Sequence, residues 1–135
     1  MPKIEMTLPF KALAQGSKTA FVVKGRAVLT EAHKGLIPYR KSVSAWIRDN
    51  AVTSSWIPPR KDIPLTVDLV FTFERPKSVK RAFHTVKPDI DKLTRFALDA
   101  IVQSDLIEDD NQIHAISALK VYGERDSICF KISHE

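Results

Sequence analysis

The sequence predicts an α+β fold: a single domain over residues 1–135, with a mixed, mostly antiparallel sheet and two main helices. Three observations carry this. Val67, Leu69, Phe71 and Phe73 alternate with Thr66, Asp68, Thr72 and Glu74, the two-residue period of a half-buried strand. Two other stretches repeat apolar residues at helical spacing. Strands and helices are mixed without a regular βαβ alternation, which makes α+β with a mostly antiparallel sheet the best class. A chain of 135 residues, 44% of them hydrophobic, is enough to bury one core.

Taken in order, Ile4, Met6 and Leu8 alternate with Glu5 and Thr7, a first strand that ends near Pro9. Residues 11–18 read as a loop. Phe21 to Lys24 and Ala27 to Thr30 flank Gly25-Arg26, a hairpin. From about Tyr39 to Val52, Val43, Trp46 and Ile47 recur at helical spacing. Arg40, Lys41 and Arg48 sit on the other faces and give this helix a basic side. Trp56 to Pro59 is a connection, and the clear strand around Val67–Phe73 follows. Residues 75–88 form a basic loop. A second helix runs from near Pro88 to about Val102, with Ile90, Leu93, Ala97, Ala100 and Ile101 as its apolar stripe. An acidic turn spans Asp105 to Asp110. Two strands close the chain: Ile113, Ala115, Ser117, Leu119 and Val121 share one face of the first, and Ile128, Phe130 and Ile132 one face of the second. Gly123-Glu124 turns between them.

The distribution of charge is more informative than the net +5. Residues 1–88 carry 16 Lys+Arg against 6 Asp+Glu, and residues 89–135 carry 5 against 10. Basic surface attracts a polyanion and clustered acids attract a cation, although an unevenly charged solvated surface has the same composition. No apolar run approaches the ~20 residues that span a bilayer. The first residues lack a signal peptide's apolar centre, so the cytosol is the expected compartment and no membrane the expected partner. Cys129 is the single cysteine, so neither an internal disulfide nor a cysteine-built zinc site is available.

The chemistry concentrates in Lys87-Pro88-Asp89-Ile90-Asp91-Lys92-Leu93-Thr94-Arg95 and in Glu108-Asp109-Asp110-Asn111-Gln112. Each acid has an ordinary role open to it. Asp89 can cap the helix, Asp91 can favour its positive end, and Asp109-Asp110 can be a turn. Together they fit another job. Two acids spaced i, i+2 at a helix start can converge, because the first is still outside the helix. A short turn after the helix can then bring Asp110 back over the sheet. Three carboxylates at one point repel unless a cation neutralises them or one stays protonated. With no histidine or cysteine beside them, these hard oxygen donors favour Mg²⁺ or Mn²⁺. Arg95, four residues after Asp91, is either its intrahelical ion-pair partner or a cation placed over a reacting phosphate. Lys120 is a phosphate contact or a solvated edge lysine, the latter slightly preferred.

At these residues the sequence resembles the RusA family of Holliday-junction resolvases. The resemblance is carried by Lys87-Pro-Asp-Ile-Asp, by the helix with Phe96-Ala-Leu-Asp99-Ala100, by Asp109-Asp110-Asn-Gln112-Ile, and by Lys120. It covers residues 87–120 well, and the first 60 residues only loosely. It implies a homodimeric, Mg²⁺-dependent endonuclease of phage or prophage type, working in the host cytoplasm if phage-encoded. Such an enzyme nicks two opposed strands of a four-way junction in DNA recombination and repair. It further implies that Asp89, Asp91 and Asp110 form the metal site, with Mn²⁺ able to replace Mg²⁺. The family's lysine four residues after the second acid is here Arg95, and its common asparagine is here Lys92. Arginine keeps the charge but does not readily give up a proton. It therefore replaces a lysine whose part is electrostatic, and a proton transfer would fall to another group such as Lys92.

On this reading Asp89, Asp91, Asp110 and Arg95 carry the catalysis. Arg75, Lys77, Lys80, Arg81, Lys87, Lys92 and Lys120 hold the DNA backbone. Phe83 either stacks on an opened base or, slightly preferred, anchors the loop. Three other readings remain: a nuclease for flaps or other branched DNA, a DNA-binding module without catalysis, and a Mg²⁺-dependent hydrolase of small phosphate esters. The last has little need of a broad basic front.

Overall fold

Strand alternation and helical stripes become a layered structure in the computed structural model, which describes residues 1–16, 19–30 and 35–135. The elements are β1 (Lys3–Leu8), β2 (Thr19–Val23), β3 (Arg26–Thr30), α1 (Leu36–Ala51), β4 (Leu65–Glu74), α2 (Ile90–Gln103), β5 (Ile113–Gly123) and β6 (Ser127–Ser133). The main sheet has the order β1-β6-β4-β5. Its β1–β6 and β4–β6 pairs are antiparallel and its β4–β5 pair is parallel. The architecture is thus the expected α+β type, a mixed sheet with two helices.

The alternation in β4 has the consequence its period demands. Leu65, Val67, Leu69, Phe71 and Phe73 are buried, and Thr66, Asp68, Val70 and Thr72 lie half-buried on the opposite face. Leu93, Phe96, Ala97, Ala100 and Ile101 of α2 and Leu36, Val43 and Ile47 of α1 join the same core. Ile128, Phe130 and Ile132 of β6 are buried there as expected. Each fully buried side chain of this size stabilises the fold by ~1.5–3 kcal/mol relative to exposure.

Four local expectations are corrected. The hairpin turns at Lys24-Gly25, one residue earlier than expected, because both residues take positive φ (50° and 75°). The loop expected over 11–18 is not among them: it is found as expected through Gly16, and its last two residues lie outside the described ones. Helix α1 starts at Leu36 rather than Tyr39, since Pro38 falls in the first turn, where its missing N–H has no intrahelical partner to lose. Its Arg40 does not belong to a basic outer side; it is buried.

The fourth concerns β5, where the register shift at Leu65/Thr66 puts Ile113 on the helix side and takes it off the face expected to be shared with Ala115, Ser117, Leu119 and Val121. The register pairs Leu69 with Ala118 and Phe71 with Lys120, so Ala118, Lys120 and Tyr122 face the helices. The face shared by Ser117, Leu119 and Val121 is the outer one. β5 lies at the sheet edge, where partial exposure of both faces weakens the alternation that identifies β4. The parallel pairing also makes β4–α2–β5 one βαβ unit, and this controls where the acids lie.

Candidate metal and phosphate site

Helix α2 begins where its sequence permits. Asp89 occupies the N-cap position in extended backbone (φ −71°, ψ 142°), and its carbonyl accepts from the Leu93 N–H at 3.2 Å. Its carboxylate makes no capping hydrogen bond. The side chain instead stands 3.6 Å from Lys92 Nζ, an exposed pair worth under about 1 kcal/mol. Asp91 is in the first turn, also exposed. The ordinary capping role open to Asp89 is therefore not the one its side chain takes. Both acids border an open cleft of about 670 Å³, whose walls include Phe83 to Lys87 and Ala118 to Lys120.

Lys120 holds one wall of that cleft in place. From the helix side of β5 its ammonium donates to Val86 O at 2.7 Å and to Pro88 O at 2.6 Å. It is not the solvated edge lysine that the sequence slightly favoured. The loop is further fixed by the His84 N–H donating to Lys120 O (3.1 Å) and the Tyr122 N–H donating to Ala82 O (2.9 Å). The anchor of the loop is His84, not Phe83. His84 is buried, stacked on Phe73 with ring centroids 4.2 Å apart, while Phe83 is 57% exposed. Burial, then the charges of Lys120 and Arg81, hold the His84 pKa below its ordinary value, so the neutral ring is favoured.

Asp110 lies elsewhere. Asp109 caps a short 3-10 turn, Asp110–Gln112, by accepting from the Asn111 N–H at 3.0 Å. Gln112 accepts from the Asp109 N–H at 3.1 Å and donates to Arg60 O and Ile63 O, which ties the turn to the connection before β4. The neighbouring Asp109 carboxyl, burial and Asp99 push the Asp110 carboxyl up, while the hydrogen bond from the Asn111 N–H pulls Asp109 down. From Ile113, beside this turn, to Lys120, which grips Pro88, β5 advances seven residues, ~23 Å. Helix α2 covers a similar ~21 Å in the opposite direction.

One chain thus brings Asp89 and Asp91 together but not Asp110, which sits at the far end of α2 with Asp99 and Asp109. Among the described residues no three His, Cys, Asp or Glu side chains are gathered closely enough to hold a metal ion. The expected return of Asp110 over the sheet does not occur within one chain. The signal that fixes this is topological: in a parallel βαβ unit, the helix start and the following strand's start lie at opposite ends.

The basic residues spread around the cleft. Lys87 lines it; Arg75 and Lys77 line a separate depression with Glu74 and Glu124. Lys80 is exposed. Arg81 lies over the Tyr122 ring, 5.6 Å from its centroid, with Nη2 3.4 Å from the hydroxyl. Arg95 is exposed and has no ion-pair or hydrogen-bond partner among the described residues, so the intrahelical pair with Asp91 is not formed.

Sequence reasoning missed a polar network that braces α2. Arg40 Nη1 donates to Gln15 Oε1 at 2.6 Å and stands 3.9 Å from Asp99, and Gln15 Nε2 donates to Asp99. The Gln15 N–H also donates to Lys92 O at 3.1 Å, near the two acids. No local pattern joins residues so far apart in the chain; only an arginine on an otherwise apolar helix face hints at it. Arg40→Ala is expected to lower stability by about 1–3 kcal/mol, because it leaves Gln15 Oε1 unpaired in a buried place. Water reaches the 42% exposed Asp99 side chain and takes up part of the loss there. Denaturant titration measures it, and an unchanged midpoint would show that the network contributes nothing.

Comparison with known proteins agrees with the layout of these motifs. A family model described as Endodeoxyribonuclease RusA matches residues 9–133. No curated protein matches the chain. The matched span takes in both helices, the cleft loop and both acid pairs, and the chain belongs to the RusA family of endodeoxyribonucleases, nucleases of the Holliday-junction resolvase kind.

Proposed function

We propose that this protein is a Mg²⁺-dependent endonuclease that resolves four-way DNA junctions by paired phosphodiester hydrolysis, acting as a homodimer. The observation that carries this is the pair Asp89 and Asp91. Both are exposed carboxylates, without a capping hydrogen bond at Asp89, at the positive end of α2 and beside a cleft whose other walls carry Lys87 and Lys120. An acid pair whose one partner is the exposed Lys92 beside Asp89, set in basic surroundings, suits a cation shared with phosphate.

The donor set fits Mg²⁺ or Mn²⁺: carboxylate oxygens alone, with no nitrogen or sulfur ligand in the cleft beyond the buried ring of His84. Mg²⁺ is commonly held by one or two carboxylates and completes its shell with water and phosphate oxygens. When bound, it supplies Lewis-acid polarisation of the scissile phosphate and a more acidic water. Asp89 and Asp91 would hold it; Asp110, at the far end of α2 within one chain, would join them as a third carboxylate only across the homodimer. Arg95, free of any other partner among the described residues, would stand near the phosphate and stabilise charge that develops there. Lys87 and the exposed basic residues Arg75, Lys77 and Lys80, with Arg81, would hold the DNA backbone and supply most of the affinity. The exposed Phe83 at the cleft's rim is free to stack on an opened base. Lys120 would act indirectly, by keeping Val86 and Pro88 in position.

The test is cleavage of labelled four-way, three-way, flap and linear DNA with Mg²⁺, Mn²⁺, Ca²⁺ or excess EDTA. Mg²⁺ and Mn²⁺ should support paired nicks in the four-way junction. Ca²⁺ should support binding without cutting, because it prefers larger shells and is a poorer Lewis acid. Undiminished cleavage in EDTA would remove the metal from the mechanism. Preferential cutting of flaps would change the substrate and keep the chemistry.

A further inference from the structure

The chain between β1 and α1 builds a feature outside the main sheet. Among the described residues, β2 and β3 pair with each other and with no other strand. A two-stranded hairpin by itself is marginally stable in water and gains from a partner. Its tip is tight: Lys24 and Gly25 take positive φ between Val23 and Arg26, and Lys24 and Arg26 are both exposed. From Met6 to Thr30 the sequence has four Lys or Arg and no Asp or Glu. At the tip, neither Lys24 nor Arg26 has a carboxylate partner among the described residues.

The root of this hairpin is fixed beside the acid pair. Ala12 and Gln15, in the segment that leads to it, are buried. The Gln15 N–H donates to Lys92 O in the first turn of α2, next to Asp91, at 3.1 Å. The Gln15 side chain links Arg40 of α1 to Asp99 of α2. The returning chain enters α1 at the buried Leu36, about one helical turn before Arg40. The hairpin is thus tied down where α1 meets α2. The Arg40–Gln15–Asp99 network, which holds no reacting group, sets the distance between the hairpin's base and the cleft.

We propose that the β2–β3 hairpin is a DNA-gripping arm, whose tip cations Lys24 and Arg26 hold the phosphate backbone of the duplex arm next to the cleavage position. The proposal rests on the reading of the protein as a nuclease of branched DNA. Reach agrees with it. Nine residues lead from Gln15 to Lys24, an extended span of at most roughly 30 Å. At ~3.4 Å per base pair this carries the tip up to about nine base pairs from the acid pair. Shape agrees as well, since a two-stranded ribbon is narrow enough to lie along the ~12 Å major groove with its tip at the phosphates. Such contacts position the duplex without reading its sequence, so the arm adds affinity and orientation but no base preference. A tip that served only the fold would be buried against the body, and this one is exposed.

The salt dependence of binding tests the contact. Affinity for four-way junction DNA in Ca²⁺ is measured over a series of KCl concentrations for the parent and for the Lys24→Ala/Arg26→Ala double variant. Each phosphate contact contributes about 0.9 to the slope of log affinity against log salt, so the variant's slope should be flatter by about 1.8. Its denaturation midpoint should stay at the parent's, because both side chains are exposed. A parent that binds no junction would overturn the reading of DNA as substrate, and the arm with it. A parent that binds, with a variant of equal slope, would overturn the arm alone; a lowered midpoint beside that equal slope would show that the tip packs on the protein instead. Position is tested separately. In a Cys129→Ser background an iron chelate is attached at Arg26→Cys, and radical cuts in the bound junction are mapped. They should cluster on a duplex arm within about ten base pairs of the phosphate nicked with Mg²⁺. Cuts no stronger than those from Val52→Cys, 79% exposed at the opposite end of α1 from the hairpin's root, would overturn the placement.

Discussion

Asp89→Asn and Asp91→Asn are each expected to abolish strand cleavage while leaving junction binding equal or tighter. Asparagine keeps the shape and one oxygen of each side chain but removes the charge that a divalent cation requires. Loss of partners that merely support metal ligands typically costs 10–100-fold, so loss of a direct carboxylate ligand should cost at least ~10². The fold should not suffer, because neither side chain is buried and Asp89 makes no capping bond with its carboxylate. Binding should hold or improve, since a negative charge near phosphate has been removed. Asp110→Asn should behave the same way in the assay and should be equally folded. Asp109→Asn should cut nearly as well as the parent and show a smaller, structural effect of up to ~1 kcal/mol, because its carboxylate caps the 3-10 turn. Single-turnover cleavage with Mg²⁺ and binding with Ca²⁺ separate the two effects. Parent-level cutting by any of the first three variants would take that residue out of the metal site.

The sequence disclosed the acids more readily than their placement, for a physical reason. β4 was legible because a strand paired on both sides and packed under helices must alternate strictly, and its residues do. α2 was legible because a stripe of Leu93, Ala97, Ala100 and Ile101 has one interpretation. β5 carries no comparable pattern. As an edge strand its residues face partial solvent on both sides, so neither Lys120 on the helix side nor Leu119 on the outer side betrays its position. The Arg40–Gln15–Asp99 contacts are tertiary and leave no local trace. The separation of Asp110 from Asp89 followed from β4 and β5 being parallel, and a strand's direction is not encoded in its own residues. Local placement was therefore readable where spacing alone determines it, as for Asp89 and Asp91 at the start of α2, and unreadable where a strand's direction enters.

Arg95→Ala is expected to lower the cleavage rate by ~10²–10³ with little change in stability, the usual cost of removing one electrostatic contact to a reacting group. Two observations separate this from a structural role. Arg95 lies one helical turn beyond Asp91, ~6 Å along the axis, on the face that leads to Asp99. It also makes no ion pair or hydrogen bond among the described residues, although Asp91 stands at the spacing where such pairs form. A surface arginine without partners contributes within about ±0.5 kcal/mol to stability, so an activity loss in Arg95→Ala cannot be traced to unfolding. What the side chain supplies is then decided by Arg95→Lys. If the site needs a cation near the phosphate and no more, lysine restores most of the rate. If the guanidinium makes a two-pronged contact to phosphate oxygens, lysine cannot reproduce the fork and the rate stays low. The pH profile of Arg95→Lys adds a further reading: arginine stays protonated throughout the working range, whereas a lysine in that place brings a proton that can leave, and a new alkaline limb would report it. Parent-rate cutting by a normally folded Arg95→Ala protein would show that no charge at this position takes part, and would leave Lys92 and Lys87 as the cations nearest the two acids.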